Sequence, residues 1–197
     1  QLYLDRQTME DALEQRSAFH EFALALGVPL THLKEYAVGG EPDSQHTLFF
    51  QLDANHNVVN RRRGLYNQHG DLTSKKLFQI RQPKEGGRYG TCLYGWNKVA
   101  DKPVCLTRDE ASAVIGAYWY SDYDWLATAG SGLKDESAQA LQNKEVLFIR
   151  DAGNTRKIER KLKHYHVNFS IVDFFQGRED LSPLATLIYE LKSQDQP

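Results

Sequence analysis

The residues with the most chemistry to offer are cationic. The run Thr155-Arg156-Lys157-Ile158-Glu159-Arg160-Lys161-Leu162-Lys163-His164 carries Arg156, Lys157, Arg160, Lys161 and Lys163 at spacings of three and four. On a helix such residues share a face and could meet a phosphate backbone. The same run also reads as a solvated surface helix anchored by Ile158, Leu162 and Tyr165. A second basic stretch, Arg61-Arg62-Arg63, falls in a strand-like segment. Alternation there puts Arg61 and Arg63 on one face and Arg62 on the other. With Lys75, Lys76, Arg81, Lys84 and Arg88 it would make a basic surface, and Tyr66, Phe78 and Tyr89 would supply rings for base stacking. The alternative is an ordinary strand whose charged edges discourage aggregation. Gly130-Ser131-Gly132 would let a backbone approach phosphate, but without a following Lys and Ser/Thr it gives no support to nucleotide hydrolysis. The aromatic run from Tyr118 to Trp125 reads first as packing at a helix end and second as a binding platform.

These groups need elements to hold them. Residues 5–27 read as a helix, with Phe19, Phe22, Ala23 and Leu26 at helical spacing and Gly27 and Pro29 ending it. A short helix follows over 30–36, then a loop at Gly39, Gly40 and Pro42. Residues 48–52, 58–66 and 77–80 are strand-like and separated by turn clusters, which predicts an antiparallel meander. From Lys102 onward the rhythm becomes β-α-β-α-β-α-β-α, with strands at 104–107, 125–128, 146–149 and 167–172. Helices are expected at 109–119, 135–141, 155–165 and 183–191. Short apolar strands alternating with helices predict a mainly parallel sheet flanked by helices, hence an α/β fold. Ligands of such sheets bind at the carboxyl ends of the strands, here 107–109, 129–132 and 151–154. The expected organisation is a helical segment over 1–46, a meander and connector over 47–100, and an α/β domain over 101–197.

With 197 residues the chain is long enough for one large or two small domains. A formal net charge of −2 means that nucleic acid would have to be met by a local basic patch. Cys92 and Cys105 are the only cysteines, and neither lies in a C-x-x-C pair, which excludes a zinc ribbon within these residues. Cys105, in the apolar run 103–106, reads as a buried thiol, and so few cysteines make a cytoplasmic setting the default. No apolar stretch reaches the roughly 18 residues of a membrane span. Gln1 in place of Met suggests a processed or partial chain.

Three strand-and-tip segments carry a resemblance: Lys102 to Leu106, Trp125 to Gly130, and Val146 to Asp151. They look like successive strands of a Toprim domain, the unit shared by bacterial primases, topoisomerases and related nucleases. Gln176-Gly177-Arg178-Glu179-Asp180-Leu181 is similar to a segment that follows the fourth strand in primase-type members. The meander together with Tyr89 to Trp96 looks like the region before Toprim in primase-like proteins of bacterial mobile elements. The resemblance implies a metal site in which carboxylates after the first and third strands hold Mg²⁺ or Mn²⁺ for phosphoryl transfer. Aligned by strand, the expected Glu falls on Arg108, the first Asp on Asp151 and the second on Gly153. One acid of three remains, and an Arg at such a site suits a phosphate better than a cation. Asp109 and Glu110 lie next to the expected position. They read first as helix capping, with Thr107 as cap and Glu110 reaching back, and second as substitute metal ligands alongside Asp151.

The expectation is therefore a primase-related, non-catalytic module that binds DNA or RNA through Arg108, Arg61, Arg62, Arg63, Arg156, Lys157 and Arg160, acting in DNA replication or mobile-element maintenance. Two alternatives stay open. One is a metal-dependent phosphoryl-transfer enzyme using Asp151, with Glu110 as a further Mg²⁺ or Mn²⁺ ligand. The other is a protein-interaction or inhibitor module with a replication or mobile-element partner.

Overall fold

The computed structural model describes residues 2–42, 44–73, 78–79, 90–129, 132–150, 155–173, 184, 187–188 and 190–191. The chain divides into two compact units, residues 1–98 and 99–197.

The first unit is an antiparallel sheet with helices on both faces. Its strands β1 (Val38–Gly40), β2 (His46–Leu52), β3 (Val58–Leu65) and β4 (Phe78–Gln79) lie in the order β1-β2-β3-β4. On one face Leu48, Phe50, Leu52 and Val58 pack with Met9 and Ala12 of α1 (Arg6–Leu13). On the other, Phe49 meets Phe19 of α2 (Ala18–Ala25) edge-on at 5.5 Å, with Tyr66 and Tyr94 each 5.9 Å away. A third helix, α3 (Leu30–Glu35), leads into β1. The β2–β3 turn is closed by Asp53, whose carboxylate accepts the backbone N–H groups of Asn55 and Asn57 at 2.9 Å each.

Two expectations fail here. The single helix over 5–27 is two helices, because Ser17 starts a new one. His20 fills the place of the usual Glu in a capping box, its Nδ1 accepting the Ser17 N–H at 3.2 Å. A ring nitrogen that accepts is unprotonated, and burial accordingly holds the His20 pKa below its ordinary value. The second failure is the loop expected at Gly39-Gly40, which is strand β1, paired with β2. The glycines are there for closeness: a Cβ on Gly39 would lie 2.5 Å from the Ala12 carbonyl oxygen.

The second unit is a parallel sheet. Strands β5 (Val104–Thr107), β6 (Asp124–Ala127), β7 (Glu145–Arg150) and β8 (Asn168–Asp173) lie in the order β6-β5-β7-β8, all parallel. The connecting helices are α4 (Glu110–Trp119), α5 (Asp135–Ala140) and α6 (Arg156–His164). Right-handed crossovers put α4 on one face and α5 and α6 on the other. Accordingly, Lys161 of α6 donates to Asp135 of α5, and Gln142 to the Tyr165 carbonyl at 2.9 Å. Every residue of α4 from Glu110 to Gly116 is buried. Burial, and behind it the Glu190 carboxylate, pushes the Tyr120 phenol up. Of the helix expected over 183–191, residues 184, 187–188 and 190–191 are described, and all of them are helical.

The aromatic run is divided between packing and surface. Trp125 is buried and donates its indole N–H to the Tyr120 carbonyl at 3.0 Å, while Tyr118 and Trp119 stay exposed. Burial raises the Cys105 thiol to about 12, which matches the buried thiol read from the sequence.

Candidate nucleic-acid interface

The carboxyl edge of the parallel sheet is where the sequence pattern placed the chemistry. From β5 the chain passes to β6 on one side, and β7 lies on the other, so the crevice of an open α/β sheet falls between the tips of β5 and β7. Leu106 pairs with Phe148. Two residues further along each strand stand Arg108 and Arg150.

Arg108 is half-buried, and its carbonyl accepts the Thr128 hydroxyl at 3.5 Å. Asp109, not Thr107, caps α4: its carboxylate accepts the Ser112 N–H and the Ser112 hydroxyl, each at 2.7 Å. Thr107 is fully buried as the last residue of β5, and its hydroxyl donates to the Asp109 carbonyl at 3.0 Å. The predicted Thr107–Glu110 capping box is therefore replaced by a cap two residues later, the short Asp side chain being nearer to the helix N–H groups than the strand-bound Thr. Glu110, in the first turn, is 0% exposed. Ala129, at the tip of β6, has a positive φ of 57°, an uncommon backbone state outside glycine.

At the tip of β7, Arg150 donates from Nε and Nη2 to Glu159 Oε1 at 3.2 and 3.0 Å. The Thr155 hydroxyl reaches the same oxygen at 3.4 Å. Between these anchors run residues 151–154, so Asp151 and Gly153 lie outside the described residues, as does Gly130-Ser131.

Helix α6 rises from this edge. Ile158 and Leu162 are buried beneath it, while Arg156, Lys157, Arg160, Lys163 and His164 are exposed. Lys161 is drawn aside to Asp135 and lies 6.0 Å from the Tyr165 ring. The Asp135 carboxyl is held below its ordinary value because Lys161 and Tyr165 both donate to it.

The arginine strand behaves differently at each position. Arg62 pairs with Phe49 and is 6% exposed on the sheet face that also buries Gln51 and Asn60. Arg61 and Arg63 point the other way and are half-buried. Arg63 Nη1 bonds both oxygens of Glu41, at 3.2 and 3.3 Å. Burial pushes the Glu41 carboxyl up, but Ser44 and Arg63 outweigh it and hold it below its ordinary value. Tyr66, expected as a stacking ring, is buried at 5.2 Å from Phe19 and serves the core. Lys75, Lys76, Arg81, Lys84, Arg88 and Tyr89 lie outside the described residues.

The described donor set does not fit a divalent ion. Asp109 serves Ser112, Glu159 serves Arg150, and Glu110 is enclosed. Among the described residues no three His, Cys, Asp or Glu side chains gather where one ion could hold them.

A family model described as "Domain of unknown function (DUF6371)" matches residues 28–152. The chain belongs to this family. The DUF6371 match runs from the end of α2 through the tip of β7. No curated protein matches the chain. Solved structures similar to this DUF6371 member include primases. The Aquifex aeolicus primase (zinc-binding and RNA polymerase domains) superposes with a TM-score of 0.66 at 12% identity, over 93% of this chain and 55% of that one. The chain thus spans little more than half the length of that primase fragment. A structure of bacteriophage T7 lagging-strand DNA polymerase with primase domains of two gp4 subunits, bound to an RNA/DNA hybrid, gives 0.62 at 10%, over 99% and 96%. The DnaG primase catalytic domain bound to single-stranded DNA gives 0.58 at 12%, over 93% and 78%. At these identities the likeness establishes a primase-like fold. No helix of the described residues is long and apolar enough to cross a membrane.

Sequence reasoning missed Arg150 and Glu159. The signal was present: Glu159 is the one acid between Arg156 and His164, and it follows Thr155 by four.

Proposed function

We propose that the chain is a primase-related, non-catalytic module that binds nucleic acid in DNA replication or mobile-element maintenance. Helix α6 carries this reading. Arg156, Lys157 and Arg160 are exposed together with Lys163 and His164, and the helix's single acid is turned to Arg150. A helical face of cations whose own acid is neutralised elsewhere fits a phosphate backbone, whatever the net charge of the whole chain. The primase-like fold supports the reading, as do the single-stranded DNA and the RNA/DNA hybrid bound in two of the similar structures. In this reading the acidic motif is degenerate. Arg108 stands where metal-using Toprim domains carry Glu, Gly153 where they carry the second Asp, and only Asp151 is kept. Arg108 then contacts phosphate directly. On the antiparallel unit, Arg61 and Arg63 are half-buried cations that this reading keeps as further phosphate contacts, whereas Arg62, expected among them, is buried and is not one.

Fluorescence anisotropy with labelled single-stranded and duplex oligonucleotides tests this. The full chain should bind at low salt, with log affinity falling linearly in log salt between about 50 and 200 mM. The double variant Arg156→Glu, Lys157→Glu should bind at least about tenfold more weakly, and Arg108→Glu should also weaken binding. No detectable binding at low salt ends the proposal.

A second reading, a protein-interaction or inhibitor module of a mobile element, is favoured by Tyr118 and Trp119, which are 38% and 44% exposed at the end of α4. A replication protein bound by the wild type and released by Trp119→Ala, with oligonucleotides ignored, would select it. The enzymatic alternative, with Asp151 and Glu110 holding Mg²⁺ or Mn²⁺, gains no support from the described donor set. Metal-dependent activity lost in Asp151→Asn would revive it.

A further inference from the structure

Glu159 is out of place on a helix that meets a polyanion. By charge alone it opposes phosphate, and it sits between Lys157 and Arg160. Its side chain is nevertheless only 15% exposed, and it faces inward. One of its oxygens accepts Arg150 Nε at 3.2 Å, Arg150 Nη2 at 3.0 Å and the Thr155 hydroxyl at 3.4 Å. Arg150 is the last residue of β7, and Thr155 immediately precedes α6. A single carboxylate therefore gathers the two residues, Arg150 and Thr155, that flank 151–154. It fixes the first turn of α6, where Arg156 and Lys157 stand, against the strand tip beside the β5–β7 crevice.

We infer that Glu159 is the positioning residue of the basic face: it sets where Arg156, Lys157 and Arg160 are presented and touches no phosphate itself. This rests on the nucleic-acid reading of α6. A charge-assisted contact at the helix start and at the strand tip is stiffer than either hydrogen bond alone. Without it the helix keeps its anchors Ile158 and Leu162, but its start loses this polar tie to the tip of β7.

The sign of the effect makes the inference testable. Removing an acid from a basic face strengthens polyanion binding if only charge matters. Positioning predicts the opposite. The full chain, Glu159→Gln and Glu159→Ala are compared on one labelled single-stranded oligonucleotide across a salt series, with thermal melts of each. Glu159→Gln keeps the shape and one acceptor oxygen and should bind a few-fold more weakly. Glu159→Ala should bind about tenfold more weakly, with a salt slope shallower by about one, the signature of a lost phosphate contact. Tighter or unchanged binding in both variants overturns the inference, as does weakening that vanishes once the unfolded fraction from the melts is corrected for. If the wild type itself does not bind, the functional proposal falls first. A binding wild type with tighter-binding variants sinks the positioning role alone.

Discussion

Two helices of the same sheet have opposite relations to water. Helix α4 is buried along its whole first two turns, on the sheet side and on the far side alike. Helix α6 buries Ile158 and Leu162 and gives the rest of its surface to cations. Both start at the carboxyl edge, so both begin beside the candidate site. A helix enclosed all round is bound by packing and has little freedom to vary. A helix that buries one narrow stripe can carry almost any charge on the remainder. In this molecule α4 holds the fold in place and α6 offers the surface on which function can be written.

The largest effect expected from this contrast is at Gly116 of α4. A Cβ there would lie 2.5 Å from the Trp125 ring, which is itself buried and tied to Tyr120. Gly116→Val should cost about 3 kcal/mol, the upper range for overpacking a closed core, read as a lowered denaturant midpoint by Trp fluorescence. A neutral result would mean that α4 can shift off the sheet, and the contrast would fail. Next in size is the cap. Asp109→Ala removes both bonds to Ser112 and should cost about 1 kcal/mol. Thr107→Val should cost less than Asp109→Ala, since Thr107 is not the cap; the reverse order in paired urea titrations would restore the Thr107–Glu110 box.

What the sequence made legible follows the same division. Strand β2 and the strands of the parallel sheet stand out as short runs rich in apolar residues, and the alternation of strand and helix after Lys102 was enough to predict a parallel sheet. Period alone could not reveal that α4 is enclosed, because Glu110 and Ser112 are polar in sequence yet fully buried. It could not reveal strand β1 either: Gly39-Gly40 is ordinary loop composition, and only the closeness of Ala12 explains it. On α6, by contrast, the exposure of Arg156, Lys157, Arg160 and Lys163 was readable from local spacing, whereas the turn of Lys161 toward Asp135 of α5 was not. Glu159 escaped notice because its meaning lies in Arg150, nine positions back and on another element.

The smallest effect sharpens the comparison most. Arg160 is exposed in the middle of the basic face, and its Nε makes a long 3.4 Å contact to the Arg156 carbonyl within the same helix. Arg160→Ala replaces one good helix former by another and removes nothing from the core, so the unfolding midpoint should move by less than about 0.5 kcal/mol. On the binding side the same change should reduce the salt slope by about one and weaken all sequences alike, since a phosphate contact reads no base. An Arg160 variant that destabilises the fold as much as an α4 variant would show that α6 is a packing element too, and the division of labour between the two helices would have to be abandoned.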